Sequence, residues 1–146
     1  MNLNEMIEIL NEDLSREYSH WHFYMQAAAV VTGLHREEYS ELFLEEAEGE
    51  MKHILEFKKL ILGLGGYPTT NVAKFRHDLV SPVELIQEAL KMEQEVVWNY
   101  VDRMDDAEKL EKFSKVDGRR VHIFLEDQIM DSRDSVDNYR EILKGI

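Results

Sequence analysis

The chain has no cysteine among its 146 residues. Disulfides, thiolate metal sites and iron–sulfur clusters are thereby excluded, and any metal it binds must be held by oxygen and nitrogen donors. Only two prolines occur, so little interrupts a long helix. No apolar run approaches the roughly twenty residues that span a bilayer. The opening Met1-Asn2-Leu3-Asn4-Glu5 lacks the basic start and apolar stretch of a secretory signal. The expectation is a soluble, cytoplasmic protein with no membrane partner. Positive charge is also scarce: 17 Lys and Arg stand against 30 Asp and Glu, the net charge is -13, and the first lysine is Lys52. Binding to phosphate backbones needs clustered Lys and Arg, so nucleic acid is not an expected partner. An acidic field draws cations, although its commoner service is solubility.

What is present is helical periodicity. With 44% hydrophobic residues, residues 1–146 suit one domain large enough to bury a core. Leu3, Leu10, Leu14, Trp21, Tyr24 and Ala28 recur at three- and four-residue steps in a first segment, roughly 3–31. Tyr39, Phe43, Ala47, Ile54, Phe57 and Ile61 do so in a second, roughly 36–63, and Ile86, Ala89, Leu90, Val97, Tyr100 and Met104 in a third. Glycines and proline at Gly63-Leu64-Gly65-Gly66-Tyr67-Pro68 close the second. Ser81-Pro82-Val83-Glu84 opens the third as an N-cap serine, a proline in the first turn and a glutamate placed for a capping box. The fourth is secure from about Val121 to Lys144. Its start is open, because Asp105 to Phe113 also reads as helical while Asp117-Gly118 could break it.

The link between the second and third helices is long. A helix over 36–63 spans about 40 Å, and an extended stretch over 64–80 reaches about 55 Å, enough to cross the whole bundle. The third helix is then parallel to the second, which is a four-helix bundle with one long crossover.

Charges interrupt three of these apolar stripes. Glu17 lies on the first, Glu50 and His53 one turn apart on the second, and Glu93 on the third. An isolated carboxylate in a core costs several kcal/mol unless something compensates it, and a bound cation is the obvious partner.

Glu17, Glu50-Met51-Lys52-His53, Glu93 and the Leu64-Gly65-Gly66-Tyr67-Pro68 turn together resemble the ferritin and bacterioferritin family over nearly the whole chain. The resemblance implies an all-α ferritin-like bundle holding one or two iron ions, with Mn or Zn as possible substitutes, and oxidation of ferrous iron by O2 or peroxide with possible iron storage. It assigns Glu17, His53 and Glu50 to a first iron, makes Glu50 the bridge to a second, and gives Glu93 to that second. Tyr24, two turns beyond Glu17, could bond a ligand or donate an electron, or be a core residue with one hydroxyl partner. Met51 matches the methionine that ligates haem in bacterioferritins, though methionine on a helix flank is more often plain packing.

The fourth helix departs from that pattern. The family's second Glu-x-x-His is absent, and alignment puts Ser132 and Ser135 in its place. Glu126 points away from the inner face that Val121, Leu125, Val136 and Tyr139 define. Gln128 lies on that face and could be a weak ligand, with hydrogen bonding inside the core as the more ordinary role. Of the other histidines, His20, His22, His35, His77 and His122 are read as structural or superficial, although His20, at the edge of the first stripe beside an inward Trp21, could reach an iron. Ile123, Ile129, Leu44 and Met51 are expected to face outward and to require a partner copy, giving at least a dimer. The alternative function is a metal-stabilised, non-catalytic four-helix protein whose task is oligomerisation.

Overall fold

The computed structural model describes all residues from Met1 to Ile146. Four helices run in order: α1 Leu3–Val30, α2 Arg36–Gly63, α3 Pro82–Glu111 and α4 Lys115–Lys144. Each boundary has a chemical cause. Asn2 caps α1 by accepting from the Glu5 backbone N–H at 2.9 Å. The end of α2 is closed by Gly65, whose φ of 92° suits glycine alone, and by bonds from Gly65 N to Leu62 O (3.0 Å) and Gly66 N to Ile61 O (2.9 Å). Ser81 does precede α3, with Pro82 in the first turn, but its side chain makes no cap bond. The expected capping box is not formed there; the first turn is closed by Leu85 N on Ser81 O at 2.9 Å.

The sequence left the start of α4 open at Asp117-Gly118, and the structure closes that question differently. The helix begins at Lys115 after Ser114 and runs through both residues. A Cβ on Gly118 would lie 2.5 Å from the backbone of Glu111. Glycine here is a close approach between the end of α3 and the start of α4, not a break.

The 64–81 segment lies along α1 and keeps its direction. Thr69 N donates to Asn11 Oδ1 at 2.8 Å, Tyr18 Oη to Thr69 O at 3.0 Å and Ala73 N to Ser15 O at 3.0 Å. Farther on, Phe75 stacks on His22 with centroids 5.9 Å apart, and Thr32 N meets Val80 O at 2.9 Å. The strap therefore returns the chain to the end of the bundle where α1 stops and α2 starts. From there α3 runs parallel to α2 and antiparallel to α1.

The core has two apolar clusters. One gathers Met6, Leu10, Leu14, Phe57, Tyr100 and Leu125; the other gathers Phe23, Tyr24, Phe43, Ile86, Ala89 and Tyr139. Between them lies a buried polar layer of Glu17, His20, Glu50, His53, Glu93, Gln128 and Ser132. Ile129, expected on the outer surface, instead packs partly buried against the first cluster, which leaves it at the edge of the core rather than free on the surface. Leu44, Met51 and Ile123 are outward, at 42%, 50% and 59% exposure. No helix is long and apolar enough to cross a membrane.

Candidate metal centre

Glu17, Glu50, His53 and Glu93 are brought together in the polar layer, all at least nine-tenths buried. Their donors form two overlapping groups. Glu17, Glu50 and His53 each offer an atom within 4.8 Å of the others, and so do His20, Glu50 and Glu93. Glu50 belongs to both, so it sits where a bridge between two cations would have to be. His20, expected to be structural or superficial but with an edge position that could reach an iron, belongs to the second group. It is only 7% exposed, whereas Trp21 is half-buried and His22 exposed. The reason is helical spacing: His20 follows Glu17 by three residues and shares its face.

Each outer carboxylate is gripped by a tyrosine from across the bundle. Tyr24 Oη of α1 donates to Glu93 Oε1 of α3 at 2.8 Å, and Tyr100 Oη of α3 donates to Glu17 Oε1 of α1. Tyr139 Oη of α4 adds a bond to Tyr24 Oη at 2.9 Å. The arrangement follows from a repeat in the sequence, since Tyr24 lies seven residues after Glu17 and Tyr100 seven after Glu93. On antiparallel helices, two turns of offset put each hydroxyl on the other helix's acid. Tyr100 read in the sequence only as a member of an apolar stripe; its spacing from Glu93 was the available signal.

His53 is oriented from both sides. Its Nδ1 faces Glu17 Oε2 at 3.8 Å and Glu50 Oε2 at 3.6 Å, while Nε2 lies 3.1 Å from Asp131 Oδ2 of α4. A proton on Nε2 held by Asp131 leaves the Nδ1 lone pair for a metal, which is how carboxylates commonly fix a ligating imidazole. So α4 contributes orientation here. Gln128 is buried; its amide N donates to the partly exposed Glu56 Oε2 at 2.8 Å, while its Oε1 has no hydrogen-bond partner. Glu126 is exposed and pairs with His122 at 2.9 Å. Met51 lies half-exposed on the outer flank of α2.

The electrostatics are those of a charge cluster without enough positive charge. Burial works against the charged form of Glu17, but bonds to Glu50 and His53 overcome it and lower its pKa. Glu50 is raised well above the carboxylate range by burial and by the Glu17 charge. Glu93 is raised to about 7, first by burial and then by Glu46 and Glu17. Burial alone would lower His53, yet Glu17 and Glu50 together raise it. The raised affinities of Glu50 and His53 for protons mean that a cation entering this cluster competes with protons.

Glu17 Oε2, Glu50 Oε2 and His20 Nδ1 are buried with no hydrogen-bond partner. Such orphans are rare in folded proteins, and here they belong to the two overlapping groups that share Glu50, with oxygen and imidazole donors that fit iron, manganese or zinc. A polar cleft of about 260 Å³ reaches the cluster between α2 and α4, lined by Glu46, Lys52, Asp131, Asp134, Ser132 and Ser135, with no hydrophobic side chain. Ser132 and Ser135 are small, and their size keeps that cleft open.

The ferritin-like domain family matches residues 7–146. A ferritin-like, diiron-carboxylate protein from Bacillus anthracis strain Ames superposes with a TM-score of 0.82 at 31% identity, covering 97% of this chain and 96% of that one. BfrA from Mycobacterium tuberculosis gives a TM-score of 0.85 at 19% identity, with 96% and 83% covered. A Dps protein from Bacillus brevis gives 0.86 at 16% identity, with 97% and 96% covered. The last two likenesses bear on the fold alone. No curated protein matches the chain.

Proposed function

Because the chain belongs to the ferritin-like domain family, we propose that its buried centre binds ferrous iron and oxidises it, with Glu17, Glu50 and His53 holding one ion and Glu50 with Glu93 serving a second. The observation that carries this reading is the convergence of unpartnered carboxylate oxygens on a shared Glu50. Iron is both occupant and substrate. Two Fe2+ ions give up two electrons, which with two protons reduce O2 to hydrogen peroxide or hydrogen peroxide to two waters. Carboxylates favour the harder ferric product and His53 retains the ferrous form.

The chain's own groups have defined tasks. Asp131 fixes the His53 ring, Tyr100 and Tyr24 hold the outer carboxylates in place, and the acidic cleft between α2 and α4 admits cations. Metal binding at Glu50 and His53 competes with protons. Residues near the cleft mouth, Asp131 and Asp134, would attract Fe2+ through their charge. Mn2+ or Zn2+ would occupy the same donors without that oxidation. Iron storage would follow only if copies of the chain enclose a cavity.

Anaerobic loading with Fe2+ followed by O2 or hydrogen peroxide tests the proposal through the growth of near-ultraviolet ferric absorbance. Wild type is expected to oxidise iron well above the rate in buffer, and Glu50→Ala to fall to the buffer rate. Equal rates in both would refute the oxidase. The absence of an inward Glu and His on α4, where Ser132 and Ser135 stand, favours a second reading in which one ion only braces the bundle. Binding of Fe2+ with a raised melting temperature but no faster oxidation would select that reading.

A further inference from the structure

The second half of the centre lacks the imidazole that α4 fails to supply. We propose that His20 of α1 is that ligand, binding the second metal ion together with Glu50 and Glu93; the proposal rests on the reading that the centre binds divalent metal.

Three observations carry it. A His20 ring nitrogen, a Glu50 oxygen and a Glu93 oxygen lie within 4.8 Å of one another. Donors about 2.1 Å from a common ion stand at most about 4.2 Å apart, so a small inward movement closes the set. His20 is 7% exposed and its Nδ1 has no hydrogen-bond partner, although a buried imidazole held only for packing normally finds one. Its neighbour Glu50 also has an unpartnered oxygen, Oε2.

The sequence has the same logic. Glu17-Tyr18-Ser19-His20 repeats the spacing of Glu50-Met51-Lys52-His53, and one helical turn brings each pair onto one face. Antiparallel α1 and α2 present the two pairs to each other. His53 then serves the position built on Glu17 and Glu50, and His20 the position built on Glu50 and Glu93. Each ion has one imidazole, and both imidazoles come from the first two helices. The missing histidine of α4 is thus replaced from another side of the same cavity.

Anaerobic calorimetric titration with Fe2+ on the full chain separates the possibilities. Wild type should take up two ions per chain. His20→Ala should retain the first ion and bind the second at least tenfold more weakly, while His53→Ala should weaken the first. Iron-edge anomalous diffraction from Fe2+-soaked wild-type crystals gives an independent readout, with a peak expected at bonding distance from the His20 ring. Two ions in wild type with an unaltered profile in His20→Ala, or an iron peak with the His20 ring turned away, would overturn this assignment and leave the centre itself standing. No Fe2+ uptake by wild type would overturn the centre, and the His20 assignment with it. If His20→Ala does not fold, His20→Gln replaces it in the titration, and the wild-type anomalous map decides without any variant.

Discussion

Glu93, like the buried Asp13 raised to about 6, is a buried acid whose charge changes within ordinary working pH. Burial, then Glu46 and Glu17, raise it from 4.5 to about 7. The folded metal-free protein therefore binds a proton there more tightly than the unfolded chain does. For a raised carboxylate the stabilising form is the protonated one, so its contribution is present at low pH and is lost as pH rises from 4.5 to about 7. Glu93→Gln mimics the protonated acid. At pH 8 that variant should be more stable than wild type without metal, by about 3 kcal/mol at most, and the advantage should vanish near pH 4.5; denaturant unfolding of both proteins at the two pH values measures it. An equal difference at both would show that Glu93 does not titrate in this window. Glu93, Glu17 and Glu50 were legible in the sequence because a carboxylate in an apolar stripe is conspicuous. His20 was legible only as an edge position that could reach an iron, since imidazole is at home on a stripe margin and only the third dimension shows its nitrogen unpartnered. Asp131 stands at the margin of the inner face of α4, and only the fold shows that it reaches His53.

At the scale of elements, periodicity located all four helices, and turn chemistry located the end of α2. What it could not resolve was Gly118, because a glycine that breaks a helix and one that lets two helices touch look alike in one dimension. The structure places its α-carbon where any side chain would strike Glu111. Alanine normally strengthens a helix interior by about 1 kcal/mol relative to glycine. Here overpacking against backbone should reverse the sign, and Gly118→Ala is expected to destabilise by about 1–3 kcal/mol. Gly49, with open space around its Cβ position, is the control, and Gly49→Ala should be neutral or stabilising. Thermal melts of the two variants compare them directly; a stable Gly118→Ala would mean that α3 and α4 do not meet as closely as described. The serines of α4 teach the same lesson about context. They read as lost ligands in the alignment, and in three dimensions they line the polar cleft to the centre.

Exposed apolar side chains occur on every helix, Trp98 of α3 at 71% among them, and α2 and α4 each carry several. Leu44, Met51, Leu55, Ile123 and Met130 are all more than two-fifths exposed, and a second copy of the chain is the partner we expect for them. Light scattering should give at least twice the 17.3 kDa of one chain, and Leu55→Glu combined with Ile123→Glu should lower that mass. A monomeric wild type would remove the expectation. The long strap has a further consequence, for the order of assembly. The links at 31–35 and 112–114 are short, so each helical hairpin closes at small entropic cost, whereas 64–81 must be drawn along α1 before the hairpins can dock. Glu17, His20, Glu50 and His53 all belong to the first hairpin, and Glu93 alone arrives with the second. The centre is therefore divided in time as well as in space: four of its donors can gather early, and the fifth records that the two halves of the chain have met.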